Sequence, residues 1–183
     1  MRLAGTVAMV LLLGACNAQE PAAEPEAPAE ADSTLGAKDE IDLQASGITV
    51  PPQDGDAALE VPFGSKRAAA EATLAVVLGS VVERRENDEC PAGPMAMTEY
   101  RGVTLNFQDD RFVGWFATDP YVPDQTREEM LATEGVVLIG DSTLGPEFVI
   151  GDVDGMSIGG LFDGALDDSA VFSLWAGVNC FFR

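Results

Sequence analysis

Chemistry in this chain falls to carboxylates and sulfur, because it has no histidine: its 183 residues include 31 Asp and Glu, 10 Lys and Arg, three Cys and six Met. Without imidazole there is no Ser-His-Asp or Cys-His nucleophile and no His-bearing zinc site. Asp152-Val153-Asp154-Gly155, followed by Asp163, Asp167 and Asp168, offers the oxygen ligands calcium takes. It lacks the third acidic position and the distal Glu of an EF-hand loop, and solvated turns are the expected reading. Glu99, Asp109 and Glu147 are candidate acid–base carboxylates for glycoside hydrolysis, but their placement distinguishes neither an acid nor a base. Trp115 and Trp175 fit either a core or an aromatic ligand platform, with core expected. Met95, Met97 and Met156 are spaced for packing rather than for copper, and Gly79, Gly140 and Gly145 form no phosphate-binding loop. A formal net charge of −21 repels nucleic-acid phosphates and anionic lipid alike, and is consistent with cationic partners.

Cys16 closes a different pattern. Arg2 supplies one positive charge, residues 6–13 (TVAMVLLL) are apolar, and small residues precede the cysteine in Leu13-Gly14-Ala15-Cys16. The apolar run is shorter than the ~20 residues a bilayer span requires and suits a cleaved export signal. This stretch resembles the lipobox of bacterial lipoproteins. The resemblance implies that residues 1–15 are a signal peptide and that Cys16 becomes the first residue, acylated with palmitate-type chains. It also places the protein in the bacterial cell envelope. Asn17, rather than Asp, implies sorting to the outer membrane, facing the periplasm. Two or three acyl chains, at ~0.8 kcal/mol per buried CH₂, hold a protein where one does not. Residues 16–38, dominated by Ala, Glu and Pro, read as an extended tether.

With Cys16 given to lipid, Cys90 and Cys180 remain as an even pair in an oxidising compartment. A disulfide between them closes a loop of ~90 residues and contributes up to ~4–5 kcal/mol in the chain-entropy model. Soft-metal binding and thiol redox chemistry are the alternatives, though the spacing is far from C-x-x-C.

These residues need elements to position them. A helix is expected over 65–78, capped by Ser65 and stopped at Gly79. Its apolar face is drawn from Ala68, Ala72, Ala75 and Val76, thickened by Leu74, Val77 and Leu78, with Lys66, Arg67 and Glu71 left to solvent. A second helix, 126–133, opens with a Thr126–Glu129 capping box. Alternation predicts one hairpin from 102–107 and 111–117 and another from 156–162 and 170–177, while 136–139 reads as a buried strand. The expected fold class is α+β: one domain, 39–183, made of two tandem helix-plus-antiparallel-strand repeats, about 57–118 and 125–183, stapled by the disulfide.

Residues 87–94 (NDECPAGP), 107–115 (FQDDRFVGW), 142–148 (STLGPEF) and 174–183 (LWAGVNCFFR) resemble an uncharacterised family of exported bacterial proteins. That resemblance implies no activity. The doubled plan resembles, at the level of fold, the β-lactamase-inhibitor and outer-membrane-assembly-lipoprotein group, whose members bind other proteins; a likeness of fold transfers no residue. The expected function is a non-catalytic, lipid-anchored envelope protein presenting an acidic protein-interaction domain, with no cofactor and no nucleic-acid partner. The alternatives are a small-ligand or calcium-binding envelope module and a carboxylate-based hydrolase of envelope polymers.

Overall fold

The computed structural model describes residues 40–52, 57–152 and 156–182. Cys16, the signal segment, the tether and Asp154 lie outside them. In chain order the elements are β1 (Asp42–Gln44), β2 (Gly47–Val50), β3 (Leu59–Pro62), α1 (Arg67–Leu78), β4 (Glu83–Asn87), β5 (Met95–Tyr100), β6 (Val103–Gln108), β7 (Arg111–Ala117), α2 (Arg127–Ala132), β8 (Val136–Leu138), β9 (Glu147–Gly151), β10 (Ser157–Phe162) and β11 (Val171–Gly177). The first three strands form a small antiparallel sheet. The other eight form one antiparallel sheet in the order β4-β5-β6-β7-β11-β10-β9-β8.

The α+β expectation is therefore wrong. Strand makes up 43% and helix 13%, so the molecule is a β-rich fold rather than a pair of helix–strand repeats. The physical reason lies in the turns, which follow one another closely enough to leave little chain for helix. The β6–β7 hairpin closes on Asp109 and Asp110 at φ 48° and 60°. Positive φ at both central residues is the two-residue turn whose twist matches the flanking strands, and Asp tolerates it through its short polar side chain.

The helices sit on the sheet as local attachments. Helix α1 buries Ala70, Leu74 and Leu78, an i, i+4, i+8 stripe. Ala68, Ala72, Ala75 and Val76 are exposed instead. Each of the two buried leucines contributes roughly 2 kcal/mol by leaving water. The N-cap is Lys66 without a side-chain cap, because Ser65 Oγ donates to Pro62 O at 2.7 Å. Helix α2 does carry the Thr126–Glu129 capping box, both halves formed.

Cross-strand register assigns the faces of the large sheet. On the inner face Tyr100, Val103, Ala117, Leu174, Gly160 and Phe148 lie side by side across β5, β6, β7, β11, β10 and β9. They share one core with α1 and with Leu43, Ile48, Val50 and Val61 of the small sheet. Trp115, fully buried, ties the two sheets together by donating Nε1–H to Gln44 O at 2.9 Å. Strand β8, expected as a buried strand, is the sheet's short outer edge, with Val137 47% and Leu138 40% exposed. A short apolar run does not by itself distinguish a central strand from an edge.

Candidate functional site: the outer face of the large sheet

One cross-strand row summarises the opposite face. From β4 to β8 it reads Glu83, Glu99, Thr104, Phe116, Trp175, Gly159, Val149, Val137. The row begins charged, becomes aromatic at the β7–β11 seam, and ends aliphatic at the β8 edge.

The charged half is covered over β6 and β7 but exposed at β4, where Arg85 and Glu83 keep 48% and 56% of their side-chain surface open. Arg85 holds Glu99 at 3.3 Å and Glu83 at 3.8 Å, and segment 178–182 passes over the strands. Val178 N–H donates to Val113 O at 2.8 Å. Asn106 Nδ2 donates to Val178 O at 3.2 Å and to Asn179 Oδ1 at 2.8 Å. Gly114 permits this approach, since a Cβ there would collide with the backbone of Val178. Phe181 then sits edge-on to Trp175, 4.8 Å between ring centroids, and to Phe116 at 6.3 Å.

The aliphatic half holds a groove of about 360 Å³, lined by Phe63, Val149, Met156 and Trp175 and by the buried Glu147. Its floor depends on two adjacent glycines serving opposite faces. A Cβ on Gly159 would stand 2.5 Å from Trp175 Nε1, and one on Gly160 would enter the Phe148 ring. The missing side chains are thus filled from across the sheet, by the indole outside and by the phenyl ring inside. Met156 of the groove wall is 73% exposed, and Phe172 on β11 is 57% exposed.

The carboxylates considered for hydrolysis do not converge. Glu99 on β5 and Glu147 on β9 are five strand spacings apart, about 24 Å, against the 5–9.5 Å a glycosidase pair spans. Asp109 lies in the β6–β7 turn. Glu147 is buried and accepts from Ser142 Oγ at 2.5 Å. Asp163 Oδ1 accepts from Ala170 N–H at 2.9 Å and Asp167 Oδ1 from Arg127 Nη1 at 3.2 Å; Asp168 is exposed. Among the described residues no cluster of three or more Cys, Asp or Glu is placed to hold a metal ion. Met95 and Met97 share β5, whereas Met156 lies before β10. Trp115 is core, but Trp175 belongs to the outer face and forms a groove wall.

Cys90 and Cys180 do meet. Both are free thiols, near enough to feel each other's charge, and Asn87 Nδ2 donates to Cys180 Sγ at 3.3 Å. Burial, then the hydrogen bond and charge of Cys90, push the Cys180 thiol up to about 11.

A polar network at α1 was not legible in the helical pattern, which assigned Arg67 and Glu71 to solvent. Arg67 Nε and Arg84 Nη2 each donate to the Glu71 carboxylate at 3.0 Å. Thr98, fully buried, accepts from Arg67 Nη2 at 3.0 Å and donates to Glu71 Oε1 at 2.5 Å. Burial works to raise the Glu71 carboxyl, but the hydrogen bonds from Arg84, Thr98 and Arg67 and the Arg84 charge outweigh it and hold it at about 2. Arg67 also stands over the Phe107 ring at 5.1 Å. The i, i+4 spacing of Arg67 and Glu71 was the one available signal.

Comparisons with protein-family models, curated proteins and solved structures return no match.

Proposed function

We propose that this chain is a non-catalytic, lipid-anchored envelope protein whose acidic domain docks a basic protein on the open half of the outer sheet face. The observation that carries this reading is the aliphatic end of the outer row, where Val137 is 47% exposed, Val149 is half-buried and Met156 is 73% exposed beside the buried Trp175 and Gly159. Exposed apolar surface gathered on one face marks interaction sites, whereas single scattered residues do not. Charge selects the occupant. The chain carries −21, and among the described residues neither Lys nor Arg lines the groove. A second copy is therefore repelled and a basic partner attracted. The lipobox resemblance at Cys16 supplies the anchor in this reading, with residues 17–38 presenting the domain on the periplasmic side of the outer membrane.

The test is site-specific photo-cross-linking in intact cells. Probes at Val137 and Phe172 are expected to trap one protein of basic composition, with the adduct lost on Val149→Glu. Probes at Val76 and Glu83 are expected to trap none. Equal adducts from all four positions, or an acidic partner, overturn the docking surface. Palmitate incorporation that survives Cys16→Ser, or never occurs, overturns the anchor.

A further inference from the structure

The thiol pair and the segment over the charged half form one device. Cys90 follows β4 and is buried, and Cys180 lies within segment 178–182. The same five residues place Cys180 beside Cys90 and Phe181 against Trp175, the residue that walls the groove. We propose that Cys90 and Cys180 are a disulfide site, and that closing it turns segment 178–182 into a covalent strap that fixes the Trp175 wall of the groove. Non-covalent contacts dock the segment whatever the redox state. The bond removes the alternative in which it lifts away and takes Phe181 off the indole.

The chemistry balances with a small-molecule disulfide such as oxidised glutathione as oxidant. Cys180, the more exposed of the two, loses its proton and attacks one sulfur of the oxidant. That step releases one glutathione thiolate and leaves a mixed disulfide on Cys180. Cys90 then loses its proton and displaces the second glutathione, forming the Cys90–Cys180 bond. Two protein thiols are oxidised, one disulfide is reduced, and the two protons pass to the two departing thiolates.

The experiment uses the full chain with oxidised glutathione and then with a phosphine reductant, both cysteines kept, so that a misfolding cysteine variant cannot obscure the result. Three readouts are taken: intact mass after alkylation, amide exchange across 178–182, and acrylamide quenching of tryptophan fluorescence. Oxidation is expected to block alkylation of both thiols. Reduction is expected to speed exchange at 178–182 by about tenfold and to raise quenching, an increase that Trp175→Phe abolishes because buried Trp115 does not respond. If both thiols of the folded chain still alkylate after excess oxidant, the site is wrong. If the bond forms but exchange and quenching stay unchanged, the strap is wrong. Neither outcome depends on a partner protein, so the docking surface stands or falls separately.

Discussion

The two halves of the outer sheet face share a topology and differ in what lies on them. Strand order is mirrored about the β7–β11 seam, and each half has its helix N-terminus bridged to its seam strand or that strand's lead-in, Lys66 to Arg111 and Thr126 to Ala170. Yet the β4 side is charged, ion-paired and strapped, while the β8 side is apolar and open. The edge strands repeat the contrast. Strand β4 reads Glu-Arg-Arg-Glu-Asn, a charged edge of the kind that discourages pairing with another sheet, whereas β8 is three aliphatic residues. The helix seats differ as well. Helix α1 is locked by Arg67, Glu71, Thr98 and Arg84. The corresponding Arg127 of α2 meets only an 80% exposed Asp167 side chain among the ion pairs, a contact of small energetic value. Equivalent scaffolding with unequal surfaces puts the difference on the outer face, since the core is continuous across the seam.

The adjacent glycines of β10 give the sharpest way to break that contrast. Gly160→Ala drives a methyl group into the Phe148 ring inside the core, and a loss of about 3 kcal/mol is expected from a urea denaturation midpoint. Gly159→Ala makes the same addition outside, where Trp175 swings toward solvent. Its loss should be about 1 kcal/mol, with a clear rise in acrylamide quenching. Equal losses for the two would show that the outer face is packed as firmly as the inner one, and the open half would lose its claim to be a docking surface.

How much of this was readable beforehand follows from the range of each signal. Hairpins β6–β7 and β10–β11 and the α2 capping box are local, set by alternation and by residues three apart, and they are where the sequence placed them. The fold class is not local. A helix of 12 residues is as visible in sequence as a strand of six, so helices gained weight that the finished sheet denies them. The buried face of α1 was assigned only in part: Leu74 and Leu78 were expected on it and Ala70 was not, because an alanine-rich stretch offers several apolar stripes and only contact with the sheet selects one. Counting cysteines led to a Cys90–Cys180 disulfide, and the structure brings the two together as free thiols. The filling of Gly159 by an indole from β11 was not, because it depends on register across strands distant in sequence.

The α1 network offers the second test, specific to the strapped half. Glu71 is held at about 2 against an ordinary value of 4.5. A carboxyl lowered in the folded state stabilises fully above its unfolded value and loses that contribution as pH falls toward the folded one. Glu71→Gln should therefore cost about 2 kcal/mol at pH 7, and the difference from the wild type should vanish between pH 4.5 and 2. Asp167→Asn at the α2 seat should change stability by no more than about 0.5 kcal/mol. Chemical denaturation across that pH range reads both. A cost for Asp167→Asn matching that of Glu71→Gln would remove the asymmetry between the helix seats.

The smallest effect has the opposite sign. Ser173 lies beside Leu161 on the outer face of β11 and is fully buried, and its Oγ has no hydrogen-bond partner among the described residues. An unpaired buried hydroxyl costs more than the space it fills returns, so Ser173→Ala should raise stability by up to about 1 kcal/mol. Because the residue is closed to solvent, the same substitution should leave cross-linking from the neighbouring Phe172 unchanged. A loss of stability would mean that the hydroxyl is satisfied in solution, by ordered water or a shifted side chain. The open half would then rest on a polar layer, and its apolar character would be confined to Val137, Val149, Met156 and Phe172.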